Sequence, residues 1–149
     1  MIHVHPSEMR VSAEQLAAPA AMTPWRYLKL RRLAAGLTIE QLAERITPRG
    51  RDQRKTIALV TLLECDGGRS RNDLTLLAIA NAFQFDPLVY RQLIDEPADR
   101  HPRICGTCGC SHWDPCESEA GCCSWAAIDQ CSHCAERSGA GAAQAGEHA

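Results

Sequence analysis

Apolar residues recur every three or four positions through the middle of the chain, which is the spacing of one helix face. Five such segments lie between residues 23 and 95, and none of them alternates in the manner of a strand. Capping residues and prolines mark where these helices begin, and glycines mark where several end. The pattern therefore predicts an all-α domain of five helices over residues 23–95. The predicted starts include Thr23-Pro24, Thr38 in a capping box with Gln41, Asn72, and Asp86-Pro87; the predicted stops include Gly36 and Gly67-Gly68.

The helical pattern ends after residue 95, where a cysteine-rich composition replaces it. Eight of the nine cysteines lie in CGTCGCSHWDPCESEAGCCSWAAIDQCSHC, from Cys105 to Cys134. Because so short a segment cannot bury a sufficient apolar core, we expect a small irregular module that needs a metal or disulfides to fold. The predicted organisation is a flexible arm (1–22), the helical domain (23–95), a linker (96–103), the cysteine-rich metal-binding module (104–136) and a disordered low-complexity tail (137–149).

Charge divides the chain at the same point. Residues 24–94 carry twelve Lys or Arg against seven Asp or Glu, whereas residues 95–149 carry three against nine. The N-terminus shows no basic stretch followed by an apolar run, and no segment approaches the roughly 18 apolar residues of a membrane span. We therefore expect a cytoplasmic protein without a membrane segment, in which a basic helical domain is joined to an acidic module.

The helical segments resemble a known family. The order LRRLAAGLTIEQLAERI, a helix ending in LLECDGG, and NDLTLLAIANAFQFDPL is similar to the phage-repressor-type (Cro/CI, or XRE) helix-turn-helix family over roughly residues 25–94. The resemblance implies a domain whose third helix enters the DNA major groove, often as a twofold dimer on palindromic sites. Double-stranded DNA and a second copy of the chain, in a homodimer, are therefore the expected partners.

Two features depart from the family pattern. The segment TPRGRDQRK between helices two and three is longer than usual and carries four cations. Helix three also presents Ile57, Ala58 and Leu62 where polar residues are usual, and apolar side chains cannot form bidentate hydrogen bonds with bases. The alternative function is therefore a protein-interaction adaptor or anti-activator that holds a partner helix on this apolar surface.

The DNA interpretation places the base-contacting surface closer to the start of helix three. If Asp52 caps that helix, Arg54, Ala58 and Thr61 fall on one face at i, i+4 and i+7. Arginine and glutamine side chains can bind base edges, alanine can touch a thymine methyl group, and the surrounding cations can bind phosphates. The residues predicted to contact DNA are Arg49, Arg51, Gln53, Arg54, Lys55, Thr56, Ala58, Thr61, Arg69 and Arg71.

Two Cys-x2-Cys pairs flank the cysteine-rich module, with 22 residues between them. Two intervening residues let the backbone curl so that both sulfurs reach one ion, and Gly109 suits the tight turn that this requires. Zinc is the expected ion. The predicted first site is Cys105, Cys108, Cys131 and Cys134, and the predicted second site is Cys110, His112, Cys116 and Cys123. The spacing also resembles the tails of uncharacterised phage and bacterial metal-binding proteins, relative to which Cys122 is an additional cysteine.

An iron–sulfur cluster is the alternative to zinc, since thiolates also hold iron and only one residue separates Cys108 from Cys110. Disulfides are a third possibility, which a cytoplasmic setting disfavours. We expect the acidic module to serve in dimerisation, in docking a protein partner or, if it holds iron, in sensing. The expected apolar core of the module is Ile104, Trp113, Trp125 and Ile128, and Cys65 is expected to be a buried thiol of the helical core.

The other chemically reactive residues form no catalytic pattern. The sequence contains no glycine-rich phosphate loop, no paired-carboxylate site and no Ser-His-Asp set that could be assembled. The sequence therefore predicts a cytoplasmic DNA-binding transcriptional regulator with a C-terminal metal-binding module, and not an enzyme.

Overall fold

The protein is described by a computed structural model that covers residues 20–48, 50 and 52–144. The five helices predicted from the apolar spacing are present, and a sixth lies at the C-terminal end. A short 3-10 helix, Ala98–Arg100, follows the fifth helix and occupies part of the predicted linker. The helices are α1 (Pro24–Ala34), α2 (Ile39–Ile46), α3 (Gln53–Glu64), α4 (Asp73–Ala82), α5 (Pro87–Asp95) and α6 (Ser132–Gln144).

The capping signals of the sequence operate as predicted at most helix starts. Thr38 and Gln41 form a reciprocal capping box: the Gln41 backbone N–H donates to Thr38 Oγ1 (3.1 Å), and the Thr38 N–H donates to Gln41 Oε1 (2.9 Å). Asn72 and Asp86 each accept two backbone N–H bonds from the first turn of the following helix. These bonds satisfy amide groups that a helix start otherwise leaves unpaired.

Helix α3 begins differently. Asp52 occupies the N-cap position but makes no capping hydrogen bond, and its carboxylate pairs with Lys55 instead (3.1 Å). The Thr56 hydroxyl donates to the carbonyl oxygen of Asp52 (3.1 Å) and lies 2.8 Å from the hydroxyl of Thr47. Two threonine side chains thus tie the end of α2 to the start of α3.

The helical core is aromatic at its centre. The ring of Phe85 lies 5.5 Å from those of both Tyr27 and Tyr90, and 5.9 Å from that of Phe83, with tilted geometry in each case. All four side chains are buried, as are the aliphatic residues around them on α1 to α5. The hydroxyls of the tyrosines accept backbone N–H bonds from Asp86 and Ser70. The core therefore contains aromatic rings whose polar ends are satisfied.

A buried ion pair joins α1 to the end of α3. Arg32 donates to both carboxylate oxygens of Glu64, at 2.6 and 2.7 Å, and to the carbonyl oxygen of Leu37 at 2.6 Å. Both side chains are less than a tenth exposed. Because the guanidinium also binds the turn between α1 and α2, this one side chain fixes three elements relative to one another.

The all-α prediction is supported only in part: the structure is mostly helical, but the C-terminal region, predicted as a small irregular module, also contains short strands. Two short antiparallel pairs precede α6: β1 (Glu117–Ser118) with β2 (Gly121–Cys122), and β3 (Trp125–Ala127) with β4 (Gln130–Cys131). Strands of two or three residues are too short to show the alternation from which strands are predicted. The architecture is therefore mostly helical, with a small cysteine-rich region that contains two small sheets.

The structure describes only part of the predicted arm and tail at the two ends of the chain. Residues 1–19 of the predicted arm and residues 145–149 of the predicted tail lie outside the described residues. Helix α6, however, extends through residue 144, where the sequence predicted a tail without regular structure. Its first turn contains Cys134 and is paired to the preceding sheet through the Ser132 backbone, which donates to the carbonyl of Ser124 (2.8 Å). Four alanines favour continuation of the helix, against the cost of Gly139 and Gly141 in its interior.

The Arg32–Glu64 pair provides the first prediction. Replacing Glu64 with alanine leaves a buried guanidinium without its carboxylate, so we expect the free energy of unfolding to fall by about 3–5 kcal/mol, as measured by urea denaturation. Lys55→Ala is the matched control, because it removes an ion pair that is mostly exposed and is expected to cost no more than about 1 kcal/mol. Equal losses in the two variants would contradict the role assigned to the buried pair.

Candidate functional site

The first three cysteines of the module lie on one tight turn. The Cys105 N–H donates to the carbonyl of Cys110 (2.8 Å), and the Gly109 N–H donates to the carbonyl of Cys105 (2.9 Å), so the chain reverses between them. Gly109 has a φ of 75°, and a Cβ at this position would lie 2.9 Å from Cδ of Arg31. Both the backbone conformation and the close approach of α1 therefore require glycine here.

The remaining cysteines arrive on the two hairpins and on α6. The first hairpin brings Cys116 beside Cys123, whose N–H donates to the carbonyl of Cys116 (2.9 Å). The second hairpin ends at Cys131, and the first turn of α6 carries Cys134. The Cys131 N–H lies 3.4 Å from Sγ of Cys105, which connects the second hairpin to the first turn of the module. Each short element thus delivers one or more thiols to the same place.

Seven thiols form one cluster, hereafter the seven-cysteine cluster. Sulfur–sulfur distances are 3.3 Å between Cys108 and Cys116, 3.7 Å between Cys110 and Cys123, and 3.8 Å between Cys108 and Cys131. Five members are buried and two are half-buried. The cluster is positioned to hold a metal ion. It contains two sets of four cysteines, and within each set all four sulfurs lie within 4.8 Å of one another. Its members are Cys105, Cys108, Cys110, Cys116, Cys123, Cys131 and Cys134.

The two sets differ from the two predicted sites by one residue each. The first set is Cys105, Cys108, Cys110 and Cys131, and the second is Cys110, Cys116, Cys123 and Cys131. Three residues of the predicted first site are thus together in the first set, and the fourth, Cys134, is buried next to Cys108 and Cys131. Three residues of the predicted second site are together in the second set, where Cys131 stands in the place predicted for His112.

His112 does not join the cluster. Ser111 closes a turn in which its hydroxyl accepts the N–H groups of Trp113 and Asp114, at 3.2 Å each, and this turn directs the imidazole outward. The ring is exposed and packs edge to face against Trp113 with centroids 5.0 Å apart. Cys122, the additional cysteine of the sequence pattern, is also exposed. Both residues are outside the candidate metal centre.

The cluster favours negative charge at one thiol. A hydrogen bond from Cys110 lowers the pKa of Cys108 to about 4, and the same interaction raises the pKa of Cys110. Burial raises the pKa of Cys116 to about 12 and raises that of Cys134. Arg137, one helical turn beyond Cys134, places Nη2 3.2 Å from its sulfur. A bound cation would take over the stabilisation of this negative charge and displace the remaining thiol protons.

The cysteine-rich module is docked onto the helical domain. Arg31, buried on α1, places Nη2 2.8 Å from Oδ2 of Asp114 and donates through Nε to the carbonyl of Gln84 (3.2 Å). Gln84 in turn donates to the other carboxylate oxygen of Asp114 (2.6 Å) and to the carbonyl of Pro115 (3.0 Å). Sequence reasoning missed these contacts because 83 residues separate Arg31 from Asp114, and no local pattern marks the pair.

The expected apolar core of the module is largely wrong. Trp113 is 70% exposed and Ile128 is 72% exposed, and Ile104 packs in the helical core instead. Trp125 is half-buried, with the Arg103 guanidinium 4.3 Å from its ring centre. The seven-cysteine cluster occupies the interior that these side chains were expected to fill. Cys65 was also misplaced by the prediction: it follows the last residue of α3 in extended conformation and is exposed.

The residues predicted to contact DNA divide into three groups. Arg49 and Arg51 lie outside the described residues. Thr56 and Arg71 are engaged in other contacts, since Thr56 bonds to Thr47 and Arg71 pairs with Asp95 (2.7 Å). The rest are exposed or half-buried, although Lys55 pairs with Asp52 in an exposed ion pair and the Thr61 hydroxyl donates to the carbonyl of Ile57 (2.7 Å). These accessible residues are Gln53, Arg54, Lys55, Ala58, Thr61 and Arg69.

Comparisons with known proteins do not assign the chain. No family model matches it, and no curated protein and no solved structure shows significant similarity to it. Among the residues that the structure describes, no helix is long and apolar enough to cross a membrane. The features that bear on function are the exposed face of α3 and the buried seven-cysteine cluster.

The cluster leads to a second prediction. Cys105→Ser removes a buried sulfur of the first set, so we expect purified protein to lose metal and the hairpins to lose their ordered amide signals in NMR spectra. Cys122→Ser is the matched control, since its thiol is exposed and its loss is expected to leave the metal content unchanged. Unchanged metal content in Cys105→Ser would exclude Cys105 from the site.

The docking contact leads to a third prediction. Removing the metal with a chelator is expected to lower the thermal midpoint of the helices, because the fold that presents Asp114 to Arg31 is lost with the metal. A loss of 1 kcal/mol corresponds to about 4–8 °C for a domain of this size. In Asp114→Ala the chelator should lower the midpoint by less, whereas Glu117→Ala, an exposed change in the same module, should behave as the parent protein. A helical midpoint that is independent of metal would contradict this coupling.

Proposed function

We propose that the protein is a DNA-binding transcriptional regulator that contacts duplex DNA through the N-terminal half of α3. The observation that supports this most directly is the division of α3 into two faces: Val60 and Leu63 are buried, while Arg54, Ala58 and Thr61 are exposed along the opposite side. That exposed row has the spacing of a helix that lies along the major groove. Binding, rather than catalysis, is the proposed activity.

Several features around α3 support contact with phosphates. The first turn of α3 contains no acidic residue and carries Arg54 and Lys55, and the carboxylate of Asp52 at the N-cap is paired with Lys55. The ion pairs of Lys55 with Asp52 and of Arg71 with Asp95 involve mostly exposed cations and contribute little stability, so these cations can exchange their carboxylates for phosphates. Thr56 is assigned a structural role, because its hydroxyl joins α2 to α3.

We propose zinc as the metal of the seven-cysteine cluster. Four sulfurs around one zinc ion, at about 2.3 Å each, are about 3.8 Å apart along the edges of the tetrahedron. The separations of 3.7 Å between Cys110 and Cys123 and 3.8 Å between Cys108 and Cys131 are close to this value, whereas Cys108 and Cys116 are closer, at 3.3 Å. In a [4Fe–4S] cluster each thiolate binds a different iron at the outside, so the cluster keeps the thiolates farther apart. The spacing therefore favours single tetrahedral ions over such a cluster, and zinc is the common ion of structural four-cysteine sites.

The acidic module is assigned to protein contacts. It docks on α1 through Arg31, whereas the DNA-contacting row lies on α3, so the two surfaces are carried by different helices. Its net negative charge disfavours contact with DNA and favours a basic protein surface. We propose that the module mediates homodimerisation or docks a partner protein while α3 engages DNA.

A groove between α3 and α4 favours a second candidate function, a protein-interaction adaptor. The groove has a volume of about 250 Å³ and is lined by apolar side chains that include Leu59, Leu63 and Ile79. At its edge Leu74 is 79% exposed, and Leu62 on the outer face of α3 is 66% exposed. A surface of this kind suits the apolar face of a partner helix.

Salt dependence separates the two candidates and provides a fourth prediction. If the protein contacts at least five phosphates, the logarithm of its affinity for duplex DNA should fall with the logarithm of salt concentration with a slope of about −5. Affinity should be measured by fluorescence anisotropy on a selected binding sequence at several salt concentrations. Binding to a protein partner through the apolar groove should respond little to salt. Absence of DNA binding at low salt would exclude the regulator.

The same assay, applied to Arg54→Ala, tests whether the Arg54 side chain contacts a base. We expect the substitution to relax preference at one base pair, with a loss of about 1–3 kcal/mol for the preferred base. Arg100→Ala is the control, since it removes an equal charge from an exposed position outside α3. Uniform weakening of Arg54→Ala across all sequences would reassign Arg54 to a phosphate.

A further inference from the structure

The seven-cysteine cluster contains more thiols than one ion can bind. A tetrahedral zinc ion takes four ligands, which would leave three further thiols packed against the centre without a role. Two tetrahedral ions have eight ligand positions in total. Seven thiolates fill eight positions when one of them binds both ions, so the composition of the cluster matches a pair of ions with a single shared sulfur.

We propose that the cluster holds two divalent metal ions that share the thiolate of Cys131. The proposal extends the metal binding proposed above and rests on it. One ion is bound by the two Cys-x2-Cys pairs, Cys105, Cys108, Cys131 and Cys134. The other ion is bound by Cys110, Cys116, Cys123 and again Cys131.

The position of Cys131 identifies it as the shared ligand. Cys110 and Cys131 both belong to the two sets of four sulfurs, but Cys131 is the one of them that also adjoins Cys134, so it is next to all six other members. It is fully buried at the end of β4, between the first turn of the module and the first hairpin. A shared sulfur has to lie between two ions, and this is the most central sulfur of the cluster.

The surroundings of the cluster suit the charge that such a centre carries. Two dications and seven thiolates give a net charge of minus three, and the thiol protons that remain in the cluster leave when the ions bind. Three of the sulfurs that are not shared between the ions each have a hydrogen-bond donor nearby. Sγ of Cys134 lies 3.2 Å from Arg137 Nη2, that of Cys123 lies 3.3 Å from the Cys116 N–H, and that of Cys105 lies 3.4 Å from the Cys131 N–H. Such second-layer hydrogen bonds orient metal ligands and offset their charge.

The decisive experiment uses the full-length chain reconstituted with the NMR-active isotope ¹¹³Cd, which replaces zinc at thiolate sites. We expect native mass spectrometry to give two ions per chain, and the ¹¹³Cd spectrum to show two signals of equal intensity. Each signal should be split by the other, because scalar coupling between the ions passes through a shared sulfur. Two signals without mutual splitting would overturn the shared thiolate, and one ion per chain would overturn the two-ion centre.

Two variants identify the ligands without disturbing the shared position. Cys134→Ser exchanges one sulfur of one ion for oxygen, so one ¹¹³Cd signal should move upfield while the other stays nearly in place. Cys122→Ser is the matched control and should leave both signals unchanged, because its thiol is exposed beside Cys123. If Cys134→Ser also leaves both signals unchanged, Cys134 is not a ligand and the seven-thiolate assignment is wrong.

The outcomes distinguish this proposal from the metal binding on which it rests. Binding of one ion, released by Cys105→Ser but not by Cys122→Ser, would preserve the metal-binding module and remove the two-ion centre. Absence of any bound zinc or cadmium in protein purified under reducing conditions would remove both.

Discussion

Helix α1 carries two consecutive buried arginines, and the rest of the structure is arranged around them. Successive residues of a helix point about 100° apart, so Arg31 and Arg32 cannot serve the same partner. Arg32 reaches Glu64 at the end of α3, and Arg31 reaches Asp114 in the cysteine-rich module. A buried guanidinium is tolerated only when its charge and its N–H groups are satisfied. The chain meets this demand twice, once inside the helical domain and once between that domain and the module.

The module is too small to bury a large apolar core, and cysteine thiols form its interior instead. Its hairpins have strands of only two or three residues, and two of its four large apolar residues, Trp113 and Ile128, are exposed. Such strands have little stability of their own, since isolated hairpins are marginal even when longer. Their common feature is that each positions cysteines toward one centre. Metal binding and folding are then the same event for this part of the chain, and the docked helical domain benefits from it through Arg31.

Much of the helical domain could be predicted because its signals are local. The capping box of Thr38 with Gln41 lies within one helical turn, and the apolar spacing that identifies each helix lies within about a dozen residues. Sequence could not reveal the contact of Arg31 with Asp114, because it depends on how distant elements pack. The prediction for Asp52 was only partly right. Asp52 lies at the start of α3, but its carboxylate pairs with Lys55 and accepts no capping hydrogen bond from the helix backbone.

In the candidate metal centre, spacing alone identified the ligand type but not every ligand. The two Cys-x2-Cys pairs identified thiols that lie in the cluster, yet spacing also favoured His112, which the turn at Ser111 directs outward. Cys131 joins the second set because the second hairpin folds over the first turn of the module, which is a tertiary event. Of the adjacent residues Cys122 and Cys123, the resemblance marked Cys122 as the additional cysteine, and in the structure Cys122 is exposed while Cys123 lines the cluster.

Ile104 connects the two parts of the chain through a single peptide bond. Its side chain packs in the helical core, and the next residue is Cys105 of the cluster. During synthesis the five helices leave the ribosome first and can assemble, but their core stays incomplete until this isoleucine is delivered. Under the proposed metal binding, capture of the ion by the following cysteines would hold Ile104 in place. The supply of metal would then time the maturation of the helical domain, although the seven thiols all lie outside that domain.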